Sequence, residues 1–266
     1  MALRVTAVIE GLSDPGDPEY PYSAYIPEAG VLAALEHVYA MRGSYDIAAV
    51  NLSLGGDPGT CSDAAWEDVI GRLTDAGIAV VAASGNYGWE DSITFPACLP
   101  DVISVGASTA TGEVASFTSS SADLDLLAPG SPVDTTVLAS FDASGYAEQQ
   151  GTSFAAPHVA GAFALLDDDL PSGWSVERSR NLLRVAGAMI ERETANPFDR
   201  DPRFPELRVD GIAGFAPFDD AGWGYWVIPS DWAKFTGVST GLGGNQFGPD
   251  EHLTRAQAVT FLWRFM

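Results

Sequence analysis

The sequence predicts an α/β protein, a parallel sheet covered by helices, with a small helical module at its carboxyl end. Short apolar runs without polar alternation, typical of strands buried on both faces, recur between residues 5 and 190. Apolar residues at helical spacing lie between these runs. The 266 residues, of which 46% are hydrophobic, are enough for one full core and an appendage.

Five runs carry the strand pattern, at residues 5–9, 47–52, 78–83, 102–105 and 124–127. Two helices are predicted from apolar positions, one at Val31, Leu35, Val38 and Tyr39 and one at Trp66, Val69, Ile70 and Leu73. Gly77 is placed to end the second helix. Because short, right-handed crossovers join such elements, the β-α-β-α-β order implies a parallel sheet, with any active site beyond the carboxyl ends of its strands.

Two domains are predicted, residues 1–213 and 214–266. The stretch 191–208 carries three prolines among many charges, which predicts a surface excursion near the end of the first domain. The composition then changes, because four of the seven tryptophans, Trp223, Trp226, Trp232 and Trp263, gather near the glycine-rich turn 241–244. We interpret the second domain as a small helical module.

The charge balance narrows the classes of partner. The chain has 36 acidic and 13 basic residues, a formal charge of −23 that repels nucleic acid and anionic membranes. No apolar run is long enough to span a bilayer. Residues 1–9 lack the zones of a secretory signal and have the pattern of a buried strand, which favours a natural beginning further upstream.

The most informative segment is residues 151–161, Gly-Thr-Ser-Phe-Ala-Ala-Pro-His-Val-Ala-Gly. Gly151 permits a tight turn, and the small residues after Ser153 allow a helix to begin there and pack closely. Ser153 would then lie at a helix amino terminus, where the backbone dipoles favour developing negative charge. A serine alone is more often structural than nucleophilic, so the interpretation depends on this context.

Residues 151–161 resemble the nucleophile motif of the subtilisin-like serine proteases, the subtilases of peptidase family S8. Further segments match in the family's order: 50–56, similar to the strand that pairs with the substrate, 80–86, similar to the oxyanion segment, and the connectors 95–107 and 115–130. The resemblance covers about residues 3–213. It implies a three-layer α/β fold that hydrolyses peptide bonds in protein or peptide substrates.

The resemblance also assigns site residues. Ser153 is expected to attack the peptide carbonyl, and the Asn86 amide to donate to the oxyanion, although Asn86 alone would be interpreted as a turn residue after Gly85. The pocket for the side chain before the cut is expected between two walls, formed by Ser53, Leu54 and Gly55 and by Ala83, Ser84 and Gly85. Two glycine-lined walls favour a large apolar side chain.

The chain departs from the family in its catalytic base. The family order is aspartate, histidine, serine, and neither an aspartate motif nor a histidine motif precedes Ser153 here. None of the three histidines is expected to act as the base: His37 lies opposite the apolar stripe of its helix, His158 faces away from Ser153, and His252 belongs to the terminal module. We therefore expect this chain alone to be nearly inactive, with the missing part of the domain lying upstream.

The carboxyl-terminal module resembles one S-layer homology repeat. The resemblance rests on Phe218-Asp219-Asp220, on residues 247–250 and on the helix pattern after Thr254, which fits a helix N-cap. It implies binding to cell-wall polysaccharide and a place on the bacterial cell surface, outside the cell. A simple packing module is the alternative.

The two cysteines fit one disulfide or two free buried thiols by count alone. Cys61 precedes the helix before strand 78–83, and Cys98 lies in the loop leaving the oxyanion segment, so we expect a disulfide between them. No cofactor is expected; a structural calcium ion is left open, because no acidic cluster in the sequence has clear ligand spacing that would identify its site. Two alternatives remain: an inactive protease-like domain that binds peptide or wall polymer, and an unrelated α/β binding protein, which the ordered motifs disfavour.

Overall fold

The structure is a computed structural model that describes residues 7–10, 22–25, 27–57, 61–137, 144–169, 174–192, 203–210, 233–237 and 239–248. The helices are α1 (Glu28–Met41), α2 (Ala64–Asp75), α3 (Thr152–Asp169) and α4 (Val176–Ala186). The strands are β1 (Ala7–Glu10), β2 (Tyr22–Tyr25), β3 (Ala49–Leu52), β4 (Ala79–Ala83), β5 (Val102–Thr109), β6 (Leu126–Ser131), β7 (Val133–Thr136), β8 (Tyr146–Gln149), β9 (Ala188–Glu191) and β10 (Arg203–Glu206).

A six-stranded sheet in the order β3-β4-β5-β6-β10-β9 forms the centre of the molecule. The first five strands are parallel, with Val80 paired to Val50 on one side and Val102 on the other. Strand β9 runs antiparallel to β10. The predicted parallel sheet is therefore confirmed. Two antiparallel pairs, β1-β2 and β7-β8, lie outside it.

Alternation along β4 explains the layers. Every residue of this strand is buried. Val80 and Ala82 pack in a cluster with α1 and α2, whereas Val81 and Ala83 pack in a second cluster with α3 and α4. Because successive side chains of a strand point to opposite faces, helices cover both faces of the sheet. The predicted three-layer α/β fold is confirmed.

Helix α2 shows how local sequence sets an element's bounds. The Asp63 carboxylate accepts hydrogen bonds from the N–H groups of Ala65, at 2.9 Å, and Trp66, at 3.1 Å, which caps the helix start. Its buried residues are the predicted ones, Trp66, Val69, Ile70 and Leu73. Gly77, at φ +84°, follows the helix end, where the left-handed backbone favours glycine.

Two predictions about elements are wrong. The strand predicted at 5–9 is found as β1, but it pairs antiparallel with β2 instead of joining the parallel sheet. The stretch 191–208 is not all surface, because β10 is an inner strand with Phe204 buried. Arg192 is also buried, and it is tolerated there because its guanidinium donates to the Thr118 carbonyl at 2.9 Å and to Ser120 Oγ at 2.5 Å.

Most of the predicted module 214–266 lies outside the described residues, including its four tryptophans. Residues 239–248 contain a tight turn in which Gly243 bridges Gln246. The prediction of an S-layer homology repeat is therefore left as a prediction. None of the helices in the described ranges has the length and apolar character needed to cross a membrane.

Candidate active site

The candidate site lies where β3 and β4 end and α3 begins. Because the two strands are parallel, the residues that follow them, 53–56 and 84–88, leave the sheet at the same edge. Gly151 precedes α3 at φ +151°, and a Cβ on it would lie 3.3 Å from Asn86 Nδ2. Glycine at 151 therefore lets the Asn86 amide approach the start of α3 closely.

The Asn86 amide is held by Thr152, the residue before Ser153. Asn86 Oδ1 accepts from the Thr152 N–H and from Thr152 Oγ1, each at 2.9 Å. Thr152 is fully buried, and its Oγ1 also accepts the Gly85 N–H at 3.2 Å. Because these bonds hold Oδ1 against Thr152, Nδ2 is the end of the Asn86 amide that is left to bind another group. Asn86 is exposed, and its Nδ2 donates to no group within the described residues.

Ser153 is in the first turn of α3, with its side chain half-buried. Its main-chain N–H has no acceptor among the residues described, as is usual for the first turn of a helix. The Ser153 N–H and Asn86 Nδ2 thus flank the start of α3 as two free donors. Such a pair, at the positive end of a helix, is suited to stabilising an anion.

The carbonyl of Ser153 has a donor from outside the helix. Pro157 lies in α3 and has no N–H to donate to the residue four positions earlier. Ser53 Oγ donates to the Ser153 carbonyl instead, at 2.6 Å, and Ser53 Oγ accepts from Asn51 Nδ2 at 2.9 Å. The end of β3 is thereby tied to the residue predicted as nucleophile.

Each of the two predicted pocket walls ends in a glycine, Gly55 in one and Gly85 in the other. Gly55 is exposed and Gly85 half-buried, whereas Ala83 and Ser84 are buried. Leu54 is half-buried and packs against the first core cluster. Ser53, predicted as a wall residue, directs its hydroxyl to Ser153.

Three residues of the site had no role in the sequence interpretation: Asn51, Thr94 and Thr152. Thr94 joins the two walls, since its N–H donates to the Ser84 carbonyl at 2.9 Å and the next residue, Phe95, accepts the Gly56 N–H at 3.0 Å. Thr152 lies inside the nucleophile motif, and Thr94 directly precedes the connector segment. For Thr152 and Thr94, the adjacent motifs are therefore the features of the sequence that could have indicated a place in the site.

No histidine is placed as a base for Ser153 in the part of the chain described. His37 is exposed on α1. His158 is exposed too, and its Nδ1 donates to the Phe154 carbonyl at 2.8 Å. Neither ring forms a hydrogen bond with Ser153, and His252 lies outside the described residues.

Cys61 and Cys98 form a disulfide, as predicted, with their Cα atoms 5.9 Å apart. It joins the segment before α2 to the connector that follows Thr94. Within the described ranges, no three His, Cys, Asp or Glu side chains lie close enough together to hold a metal ion.

Known proteins are similar to this chain along most of the predicted first domain, residues 1–213. The model of the subtilase family, peptidase S8, matches residues 29–216. Alkaline elastase YaB from Bacillus sp. (strain YaB) is 41% identical over 144 residues, covering 54% of this chain and 36% of that protein. Subtilisin BL from Lederbergia lenta is 38% identical over 155 residues, covering 58% of this chain and 54% of that protein. The chain thus spans about half the length, or less, of these relatives.

Solved structures agree with this match. A cold adapted subtilisin-like serine proteinase superposes with a TM-score of 0.54 at 26% identity, covering 70% of this chain and 62% of that one. The prenylagaramide maturation protease PagA superposes with a TM-score of 0.56 at 23% identity, covering 70% of this chain and 66% of that one, which supports the fold alone. Since the family model covers more than half of the sequence, this chain belongs to the subtilase family of serine peptidases.

Proposed function

We propose that this chain is the nucleophile-bearing part of an extracellular serine endopeptidase, in which Ser153 attacks peptide bonds and Asn86 stabilises the oxyanion. The orientation of the Asn86 amide carries the proposal. Both Thr152 donors bind its Oδ1, so its Nδ2 is left free to donate beside the start of α3. An amide donor held in this way needs no rearrangement when negative charge develops on a substrate carbonyl.

The reaction would proceed by acyl transfer. Ser153 Oγ forms a bond to the carbonyl carbon and gives its proton to a base, while the carbonyl oxygen becomes an anion facing Asn86 Nδ2 and the Ser153 N–H. The C–N bond then breaks, and the amine leaves with the proton. Water hydrolyses the acyl-serine and restores the hydroxyl. The base and its aspartate partner are proposed to come from a segment outside this sequence.

A groove along β3 supports the proposal that a further segment completes the site. Strand β3 pairs with β4 on one side, and in the described part of the chain its other edge has no partner strand. A cavity of about 770 Å³ runs along this edge, between α1 and α3. A free strand edge between two helix layers offers both main-chain hydrogen bonds and apolar cover to an added strand. One end of a strand added here would lie beside Ser53, whose hydroxyl donates to the Ser153 carbonyl.

A hybrid protein tests the proposal. Residues 1–266 are joined behind the part of Subtilisin Savinase from Lederbergia lenta that precedes its match to this chain, which by family resemblance supplies the aspartate and histidine. The hybrid is expected to cleave a chromogenic peptide, and the chain alone to be nearly inactive. Ser153→Ala should abolish cleavage in the hybrid.

Two results would contradict it. A folded hybrid without peptidase activity, but with peptide affinity, would favour an inactive domain that binds peptide or wall polymer. Robust cleavage by the chain alone, lost on Ser153→Ala, would show that a histidine within it acts as the base. His37→Ala, His158→Ala and His252→Ala would identify which of the three histidines it is.

We further propose that the protein works outside the cell, attached to the bacterial surface through residues 214–266. A disulfide is typical of oxidising compartments, and the resemblance of the module to an S-layer homology repeat supports binding to wall polysaccharide. Co-sedimentation of residues 214–266 with purified cell walls should show weak binding that strengthens when copies of the module are joined. Absence of binding by the joined copies would leave a packing module.

A further inference from the structure

Thr94 fills the space between the two glycine-lined walls. A Cβ added to Gly55 would lie 2.6 Å from Thr94 Oγ1, and a Cβ added to Gly85 would lie 2.4 Å from Thr94 Cγ2. The two branches of one threonine thus contact opposite walls. Thr94 is 1% exposed, so it is enclosed by these segments.

The side chain is held in this position. The Thr94 N–H donates to the Ser84 carbonyl at 2.9 Å, and Oγ1 donates to the Ala83 carbonyl at 3.3 Å. A β-branched side chain has few χ1 alternatives, and a swing away from the walls would break the Oγ1 bond. A substrate side chain entering between the walls would therefore meet a fixed obstacle.

We propose that Thr94 is a specificity-determining residue, which shortens the pocket so that it takes a small side chain, such as alanine, at the residue before the cut. The inference rests on the proposed peptidase function. It reverses the expectation that two bare glycine walls favour a large apolar side chain, because the space that those glycines open is occupied. Each methylene that a pocket cannot admit changes selectivity by about 10- to 200-fold.

The test measures peptide affinity, so it needs no catalytic base. The ¹⁵N-labelled 266-residue chain is titrated with acetyl-Ala-Ala-Ala-Xaa carboxylates in which Xaa is Ala, Leu or Phe, and the amide signals of Gly55 and Gly85 are followed by NMR. The alanine peptide is expected to bind at least about tenfold more tightly than the phenylalanine peptide, since phenylalanine exceeds alanine by far more than one methylene.

Variants at position 94 separate volume from hydrogen bonding. Thr94→Ala removes both branches and should bring the phenylalanine peptide to at least the affinity of the alanine peptide. Thr94→Val keeps the volume but loses the bond to the Ala83 carbonyl, so it should keep the wild-type preference. Thr94→Ser, which loses the branch facing Gly85, should be intermediate and serves if Thr94→Ala does not fold.

The possible failures are distinguishable. Equal or tighter binding of the phenylalanine peptide by the wild type, or an unchanged ratio in folded Thr94→Ala and Thr94→Ser, would overturn the role of Thr94 and leave the peptidase proposal standing. A change in preference in Thr94→Val as large as in Thr94→Ala would show that the hydrogen bond, not the volume, is responsible. Failure of all three peptides to shift Gly55 and Gly85 would contradict the peptidase proposal itself, and this inference with it.

Discussion

Pro157 and Ser53 together determine which group donates a hydrogen bond to the Ser153 carbonyl. A proline within a helix leaves one carbonyl without its helical donor, and here that carbonyl belongs to Ser153. The Ser53 hydroxyl donates to it from the end of β3. Helix α3 can therefore contain a proline close to its start while Ser153 stays tied to the sheet.

Ser53→Ala is expected to lower the free energy of unfolding by about 1 kcal/mol, because the Ser153 carbonyl loses a donor. Urea denaturation measures the change, and Ser53→Thr, which keeps a hydroxyl, serves as the control. In a Pro157→Ala background the helix regains an N–H for this carbonyl, so Ser53→Ala should cost less there. Equal costs in both backgrounds would refute the proposed link between the two residues.

Asn86 is expected to act on turnover more than on substrate binding. In subtilisin the loss of the corresponding amide lowers kcat by about 100- to 1000-fold, and we carry that magnitude over to Asn86→Ala in the hybrid, with KM little changed. Asn86→Asp keeps an oxygen for the Thr152 donors but lacks the amide N–H, so it should lose at least as much. Steady-state kinetics that show wild-type kcat for Asn86→Asp would exclude Nδ2 as the donor.

The motifs in the sequence predicted Ser153 and Asn86 as candidates, but not the residues that hold them. Thr152 holds the Asn86 amide, and Ser53 is hydrogen-bonded to the Ser153 carbonyl. Thr94, which the motifs did not indicate either, lies between two glycines from separate segments. Such roles depend on which segments the fold brings together, and spacing along the chain does not contain that information. Ser53 was predicted for a wall, and its contact with Ser153 depends in the same way on the packing of α3 against β3.

Among the helices and strands, the hydrophobic pattern of the sequence predicted the buried parallel strands and the first two helices. Continuous apolar runs and apolar residues at 3.6-residue spacing are strong signals of these elements. Strands β7 and β8 are half-exposed, and neither contains a continuous apolar run. Strand β10 is short and lies among charged residues and prolines. Its place in the sheet depends on pairing with β6 and β9, so composition alone indicated a surface segment.

The Cys61–Cys98 disulfide joins two loop segments, the one that precedes α2 and the one that connects β4 to β5. The cross-linked residues are 37 apart in sequence. In the chain-entropy model, removing a cross-link of this span costs about 4 kcal/mol of stability. Cys61→Ala with Cys98→Ala should therefore lower the free energy of unfolding by about that amount, as measured in guanidinium chloride. A change below about 1 kcal/mol would mean that the disulfide does not constrain the unfolded chain.

In the molecule as a whole, the edge of β3 that has no partner strand among the described residues is the feature with the largest expected effect on association. An unpaired edge beside an apolar groove promotes pairing with other chains. The chain alone should therefore self-associate with increasing concentration in sedimentation velocity, despite its net charge of −23.

Ala164→Arg tests whether the groove causes this association. Ala164 is exposed on α3 and lines the groove, so the arginine should reduce association without unfolding the chain. Ala40→Arg, on an exposed position of α1 outside the groove lining, adds the same charge and should have a smaller effect. Equal effects of the two variants would assign the change to charge instead of to the groove.

Ser153 is proposed as the nucleophile of a peptidase site that a segment outside this chain completes. Covalent labelling with a fluorophosphonate, followed by mass spectrometry to locate the modified residue, tests this role of Ser153. In the hybrid we expect an adduct on Ser153 that forms more slowly in Asn86→Ala. The chain alone should react slowly, because neither histidine of the described residues is placed to take the serine proton. Labelling of the folded hybrid at another residue would exclude Ser153 as the nucleophile. Equally fast labelling of Ser153 in the chain alone would show that no added segment is needed to activate it.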